Sequence, residues 1–183
     1  MQTTATSTKA PRVAHAEVSY MPRQLQAFAV EFGDHTALRV KQSGIWQDIT
    51  WSNYNDAARS LAYALAALGI SAGDRVAIQS ENRPEWLYAD LASNLLRAAI
   101  VGLYPTNPTE EVLYLLQDSG AKVLIAEDQE QVDKALECFE RVENLEWIIY
   151  INGRGLSEYS HPRLISIDDA IERGRSHSTK LPN

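Results

Sequence analysis

Residues 81–128, ENRPEWLYADLASNLLRAAIVGLYPTNPTEEVLYLLQDSGAKVLIAED, alternate helix-like and strand-like stretches, with turn chemistry at every joint. Few folds satisfy that pattern. Asn82 followed by Pro84 and Glu85 opens a helix: the early proline lacks an amide that would be unpaired anyway, and the carboxylate sits at the positive end of the helix dipole. The helix is expected to reach about Ala98. It is apolar around much of its circumference, which predicts a sandwiched position. Ile100 to Tyr104 reads as a strand. Asn107-Pro108-Thr109-Glu110 then reads as a second helix start, with Asn107 as the cap, Pro108 at the first helical position and Glu110 at the third. Gly120 ends that helix, and Lys122 to Ala126 forms another apolar strand.

The flanks extend the alternation. Leu25, Phe28, Ala29 and Phe32 recur at helical spacing before Gly33. Ala37 to Lys41 and Ile45 to Thr50 flank Gln42-Ser43-Gly44 as a hairpin. Tyr54, Ala57, Ala58, Leu61, Leu65 and Leu68 make an apolar stripe closed by Gly69 as a left-handed cap. After the Ser71–Asp74 turn, Arg75 to Gln79 suits a buried strand. Val132, Leu136, Phe139 and Val142 mark an amphipathic helix whose outer face carries the i, i+4 pairs Glu130/Lys134 and Glu137/Arg141. Trp147 to Ile151 is a further strand, and Ile167 to Arg173 a short closing helix. Parallel strands joined by helices imply right-handed crossovers. The expected fold class is therefore α/β: a doubly wound, mostly parallel sheet preceded by a β-hairpin. The expected organisation is an N-terminal tail over 1–21, one domain over 22–176 and a C-terminal tail over 177–183.

Charge and composition exclude several functions. A net charge of −7 argues against a nucleic-acid footprint, which would need a basic face. A lone cysteine, Cys138, excludes an internal disulfide framework and fits a reducing, cytoplasmic compartment. No apolar run approaches the roughly 20 residues of a transmembrane helix, and residues 1–20 lack the apolar core of a signal peptide.

Motifs with chemistry of their own are scarce. Gly153-Arg154-Gly155 is the one G-x-G, and it reads as a turn rather than a dinucleotide fingerprint. The sequence holds no P-loop, nucleophile elbow, H-E-x-x-H pair or C-x-x-C. His15, His35, His161 and His177 are widely separated and read as solvated positions, and Cys138 reads as ordinary helix packing. Asp168-Asp169 and Glu110-Glu111 are explained by helix-start electrostatics. Trp46, Trp51, Trp86 and Trp147 are expected in the core or at its edge. Two segments follow the carboxyl ends of predicted parallel strands, where α/β sheets form ligand crevices. They nominate Asn82, Arg83, Tyr104 and Thr106 as crevice-edge positions, with rigid strand-to-helix punctuation as the competing reading.

Several words occur in an order and spacing that resembles the acyl-adenylate-forming (AMP-binding) superfamily, over residues from about 22 to 175. They are Thr50-Trp51, Ala62 to Gly69, Gly73-Asp74-Arg75-Val76-Ala77-Ile78, Asn82-Arg83-Pro84-Glu85-Trp86, Tyr104-Pro105-Thr106 and Asp118-Ser119-Gly120-Ala121-Lys122-Val123-Leu124. NRPEW and YPT are similar to the long-chain acyl-CoA synthetase branch. The resemblance implies an incomplete N-terminal domain of that fold, in a fatty-acid–CoA ligase. Such enzymes form acyl-AMP from ATP and a fatty acid with Mg²⁺, then pass the acyl group to coenzyme A. Their phosphate loop, metal ligand, ribose-binding aspartate and catalytic lysine have no counterpart in these residues. No catalytic, cofactor-binding or metal residue is therefore assigned, and stand-alone activity is not expected. A separate chain carrying the remainder of the ligase is one implied partner, and peripheral attachment to a membrane is an alternative to a purely cytoplasmic location. Two other functions stay open, a non-catalytic lipid- or coenzyme-A-binding module and an inert split-gene remnant. One departure stands out: Arg97 occupies a position near a helix end where relatives usually carry glycine, which implies a repositioned helix end or relaxed constraint.

Overall fold

The computed structural model describes residues 20–178. His15, most of the expected N-terminal tail, residues 179–183 and the side chain of His177 lie outside the described residues. Helix α1 (Met21–Phe32) leads into the hairpin β1 (Thr36–Gln42) and β2 (Ile45–Thr50), then helix α2 (Trp51–Ala67). There follow β3 (Arg75–Gln79), α3 (Pro84–Leu95), β4 (Ala99–Leu103), α4 (Thr109–Ser119), β5 (Val123–Ala126), α5 (Gln129–Phe139), β6 (Trp147–Tyr150), β7 (Leu164–Ser166) and α6 (Ile167–Ser178). The hairpin is antiparallel and separate. The other five strands form one parallel sheet in the order β4-β3-β5-β6-β7.

Strands covered on both faces read as continuous apolar runs, and Val76-Ala77-Ile78 and Val123-Leu124-Ile125 are fully buried. Alternation along each strand sends Val76, Ile78, Val123 and Ile125 into one core with α2, α3 and α6. Ala77 and Leu124 go into a second core with α4 and α5. A third cluster, Leu25, Tyr54, Ala58 and Leu91, fastens α1 and the hairpin to α2 and α3. The doubly wound sheet with its leading hairpin is thus the observed architecture.

Several boundaries differ from the sequence reading, each for a local reason. Strand β7 had no sequence signal, because three residues are too few to show a period; its pairing with β6, through Ile149 opposite Ile165, defines it. Helix α6 then runs five residues past Arg173. At its start Ser166 Oγ caps the helix by accepting the Asp169 N–H at 3.0 Å and donates to the Asp169 carboxylate at 2.7 Å, which accounts for an acidic residue at 169. Asn107 is not the cap of α4. Helix α4 begins at Thr109 after Pro108, whose carbonyl accepts the Glu111 and Val112 N–H groups, while Asn107 is buried and its own N–H closes a turn onto the Tyr104 carbonyl at 3.1 Å.

Trp46 is also corrected. It lies near the tip of the hairpin, 65% exposed, with the Lys41 ammonium 6.0 Å over its ring. Trp51, Trp86 and Trp147 are half-buried, as a core edge requires. The Glu130/Lys134 pair forms at 2.8 Å. Arg141 instead reaches across to both oxygens of Glu110 at 2.9 and 3.2 Å, tying the end of α5 to the start of α4.

Helix α3 ends at Leu95 rather than Ala98, and the reason lies at Arg97. Two helices close with the same paired bonds. In α2, the Gly69 N–H reaches the Ala66 carbonyl and the Ile70 N–H reaches Leu65, with Gly69 at φ +97°. In α3, the Arg97 N–H reaches Asn94 and the Ala98 N–H reaches Ser93, with Arg97 at φ +58°. A side chain with Cβ in that left-handed position costs roughly 1–2 kcal/mol, less whatever glycine loses in unfolded-chain entropy. Arg97 is exposed, so its guanidinium holds nothing that would be forfeited. Arg97→Gly should accordingly raise the thermal midpoint by roughly 2–4 °C. A scanning-calorimetry trace with an unchanged or lower midpoint would contradict this account of the helix end.

Candidate functional site

The sheet's crevice follows from its winding. Strand β3 feeds α3 on one face, whereas its neighbours β4 and β5 feed α4 and α5 on the other, so the connections diverge at the carboxyl ends around β3. Ligands of open α/β sheets enter at such a divergence. Between β3 and β5 the space is closed by the protein's own ions. One Glu127 oxygen accepts the Glu81 backbone N–H at 2.6 Å, and the other accepts Arg83 Nη1 at 3.1 Å. Arg83 also donates through Nε and Nη2 to Glu85 at 2.8 and 3.3 Å. Burial opposes the Arg83 charge, but the Glu85 and Glu127 carboxylates outweigh it and hold the guanidinium above its ordinary value. This clamp leaves the crevice's cation already neutralised.

Between β3 and β4 a cleft of about 350 Å³ remains open, lined by Ser80, Glu81, Asn82, Trp86, Gly102 and Tyr104, among others. The structure thus brings Asn82 and Tyr104 together. Asn82 also meets Arg83, in a second space that does not include Tyr104. Arg83 faces an adjoining trough of about 550 Å³ between α3 and the hairpin, with Val40, Trp46, Trp86 and Leu87, and Thr106 is exposed and lines neither space. A Cβ at Gly102 would sit 3.0 Å from the Trp86 ring, so the indole lies directly on bare backbone and forms the cleft floor.

The Tyr104–Asn107 turn rests on a polar bed that sequence reasoning missed. Gln79 Nε2 donates to the Tyr104 carbonyl at 3.2 Å, and Lys134 Nζ and Gln131 Nε2 donate to the Pro105 carbonyl at 3.0 and 3.4 Å. Gln79 and Gln131 are buried, and Gln79 Oε1 has no hydrogen-bond partner. A signal existed in each amide: Gln79 ends the apolar run VAIQ, and Gln131 sits beside Val132 in α5. Buried amides at apolar positions generally answer to a backbone group. Here they pin the turn while Tyr104 stands 78% exposed.

The chemistry of these groups does not fit a nucleotide. Glu81, Glu85 and Glu127 confront any entering phosphate, and Arg83 is already matched to two of them. Among the described residues no cluster of three or more His, Cys, Asp or Glu side chains could hold a metal ion. The Gly153-Arg154-Gly155 segment is a turn, with the Arg154 N–H on Asn152 Oδ1 and Gly155 at φ +85°. His35 is exposed, but His161 is not the solvated group expected: it is half-buried, its ring edge-on to Phe139 at 4.8 Å.

Cys138 is buried, with Sγ 3.7 Å from the Thr109 carbonyl, and burial pushes its thiol up to about 11. Only the thiolate is nucleophilic. Ellman's reagent at pH 8 should therefore leave the folded chain essentially unlabelled and modify one thiol after denaturation. Prompt labelling of the native protein would disprove inert packing at this position.

The kinship of this fold is clear. The family described as AMP-binding enzyme matches residues 25–172. The long-chain-fatty-acid–CoA ligase FadD15 of Mycobacterium tuberculosis is 38% identical over 112 residues, which cover 61% of this chain and 19% of that protein. The long-chain-fatty-acid–CoA ligase ACSBG1 of Bos taurus is 26% identical over 144 residues, 79% of this chain and 20% of the relative. This chain therefore spans about a fifth of the length of the curated relatives it matches. Among solved structures, the acetoacetyl-CoA synthetase of Streptomyces lividans superposes with a TM-score of 0.73 at 22% identity, over 83% of this chain and 25% of that one. The anthranilate CoA ligase AuaEII, in complex with anthranoyl-AMP, gives 0.72 at 24%, over 84% and 28%. Those two show the shared fold alone. With the family's pattern running through both cores and every strand of the sheet, the chain belongs to the AMP-binding enzyme family and has the fold of the acyl-adenylate-forming ligases.

Proposed function

We propose that these residues form a supporting wing of a fatty-acid–CoA ligase, and that adenylation and thioester chemistry reside in polypeptide beyond them. The observation that carries this reading is the self-neutralised carboxyl edge, where Arg83 is held between Glu85 and Glu127. In a site that binds ATP, such a cation would be available to phosphate. The family match and the two long-chain relatives support a long-chain fatty acid as the substrate class and coenzyme A as the acyl acceptor of the complete enzyme, and the family resemblance implies ATP and Mg²⁺ for its adenylation step. What this segment contributes is shape: two apolar cores, a rigid Tyr104 turn and an open cleft against Trp86.

The test is ATP–pyrophosphate exchange with palmitate and Mg²⁺. The purified chain should show exchange indistinguishable from a blank, and clear exchange by the chain alone would overturn the proposal. Calorimetric titration with palmitate and with coenzyme A should give heats near those of dilution. Saturable heat with either would instead favour a binding module.

A further inference from the structure

We propose that Asn152-Gly153 is a self-modifying site, at which the folded chain cyclises its own backbone to a succinimide that solvent water opens to aspartate or isoaspartate. It is the one Asn-Gly pair in the sequence, and it follows β6 at the carboxyl edge of the sheet. The reaction needs an accessible carboxamide, an unengaged amide on the next residue, and no Cβ there to obstruct ring closure. Regular structure usually denies the second condition, since nearly every backbone N–H in a helix or sheet is spent on a hydrogen bond.

Here all three conditions meet. Asn152 and Gly153 are exposed. The pairing of β5 with β6 continues past both strands: the Ile151 N–H reaches the Ala126 carbonyl at 2.9 Å and the Asn152 N–H the Glu127 carbonyl at 2.8 Å. Asn152 is thereby anchored on its N-terminal side. The bonding then stops, because the Gly153 N–H donates to no group among the described residues. The next amide, that of Arg154, donates to Asn152 Oδ1 at 3.1 Å. This turn folds the carboxamide back over the Gly153 peptide and sets a donor on the oxygen that becomes anionic as the ring closes. A Cβ at Gly153 would lie 3.1 Å from Tyr150 Cε2, so packing favours the same glycine that the chemistry requires.

The steps balance with water alone. Deprotonated Gly153 N attacks Asn152 Cγ, the new N–C bond closes the ring, and the Cγ–Nδ2 bond breaks to release ammonia with protons from water. Water then adds to one ring carbonyl and breaks its bond to the Gly153 nitrogen. Opening at Cγ leaves an ordinary main chain with aspartate at 152. Opening at the main-chain carbonyl leaves isoaspartate, with the chain running through the former side chain. Either product adds one negative charge to the residue whose amide holds the Glu127 carbonyl.

The experiment incubates the purified chain at mildly alkaline pH, folded and in urea, and maps peptides by mass spectrometry. Isoaspartate is read separately, as methyl uptake from S-adenosylmethionine through an isoaspartyl carboxyl methyltransferase. The peptide carrying residue 152 should gain the one-dalton difference between amide and acid, faster in the folded chain than in urea and in proportion to hydroxide. The other internal asparagines precede residues with a Cβ and should convert roughly tenfold or more slowly. Arg154→Pro removes the amide that holds Oδ1 and should slow conversion to the urea rate, whereas Arg154→Ala keeps that amide and should match wild type. If the proline variant melts early, the comparison of folded and urea-treated wild type decides alone. Slower conversion in the folded chain, equal conversion at other asparagines, or an undiminished rate in a folded Arg154→Pro chain overturns the proposal. ATP–pyrophosphate exchange has no bearing on any of these outcomes, so the ligase reading stands or falls separately.

Discussion

Gly174→Val should lower the stability of this chain by about 3 kcal/mol, the largest loss expected from any single glycine. Helix α6 closes one face of the sheet by lying against α2, with Ala170 and Ile167 meeting Ala64 and Leu61 in a common core. At Gly174 the approach is backbone to backbone. A Cβ there would fall on the Ala64 amide, 2.8 Å from Ala64 Cα and 2.9 Å from the Ser60 carbonyl oxygen. No side-chain rotation relieves such contacts, so the helices must part, and parting them loosens the apolar packing of Ile167 and Ala170 against α2. The smaller Gly174→Ala decides between two effects. Alanine gains roughly 1 kcal/mol of helix propensity over glycine, whereas overpacking costs about 1–3 kcal/mol; because the obstructing atoms are main chain, the cost should win. Thermal melts followed by circular dichroism should fall in the order wild type, alanine, valine. The exposed neighbour Glu172→Ala should stay within about 0.5 kcal/mol of wild type. A valine variant that melts with the wild type would mean that α6 does not pack as described.

Glu127→Ala is the second large effect. Its carboxylate joins two loops, taking the Glu81 amide on one oxygen and Arg83 on the other. Both partners of the ion pair keep only 21–25% of their side-chain exposure. Removing one member of a fully buried pair costs about 3–5 kcal/mol, and an exposed pair is worth less than about 1. A half-buried clamp with an additional backbone donor falls between them, near 2 kcal/mol. Glu127→Gln keeps an acceptor for the Glu81 amide but no charge for Arg83, so it should recover part of the loss. Urea denaturation should rank wild type above glutamine above alanine with a constant m-value. Equal midpoints for all three would show that the clamp stabilises nothing.

Much of the architecture was legible in the residues. Pro84 and Glu85, Gly69, Gly120 and the runs VAIQ and VLIA mark where helices start, stop and give way to strands, because each mark is a local property of backbone or capping chemistry. Errors fell where local chemistry admits two solutions. Asn107-Pro108 offers a plausible cap, yet the asparagine is drawn inward by the turn beneath Tyr104. Arg97 stands where a glycine would be expected, and only the shared bond pattern of α2 and α3 reveals that it serves as one. Strand β7 exists because β6 is beside it.

The site was less legible for the same reason carried further. Asn82 and Tyr104 follow strands that neighbour each other in space, so position relative to strand ends sufficed to pair them. Arg83 is adjacent to Asn82 in sequence, but its side chain is turned by two carboxylates, one of them 44 residues away. Gln79, Gln131 and Lys134 converge on one turn from β3 and α5.

Apolar period and capping residues determined by themselves that this chain is a doubly wound α/β unit, because those signals act within a few residues. Tertiary structure alone decided that the carboxyl edge is neutralised from within, that Trp86 lies on bare backbone and that β4 is left open. Charge pairing, close approach and an unpaired edge depend on which distant segments become neighbours, and the order of strands in the sheet settles that.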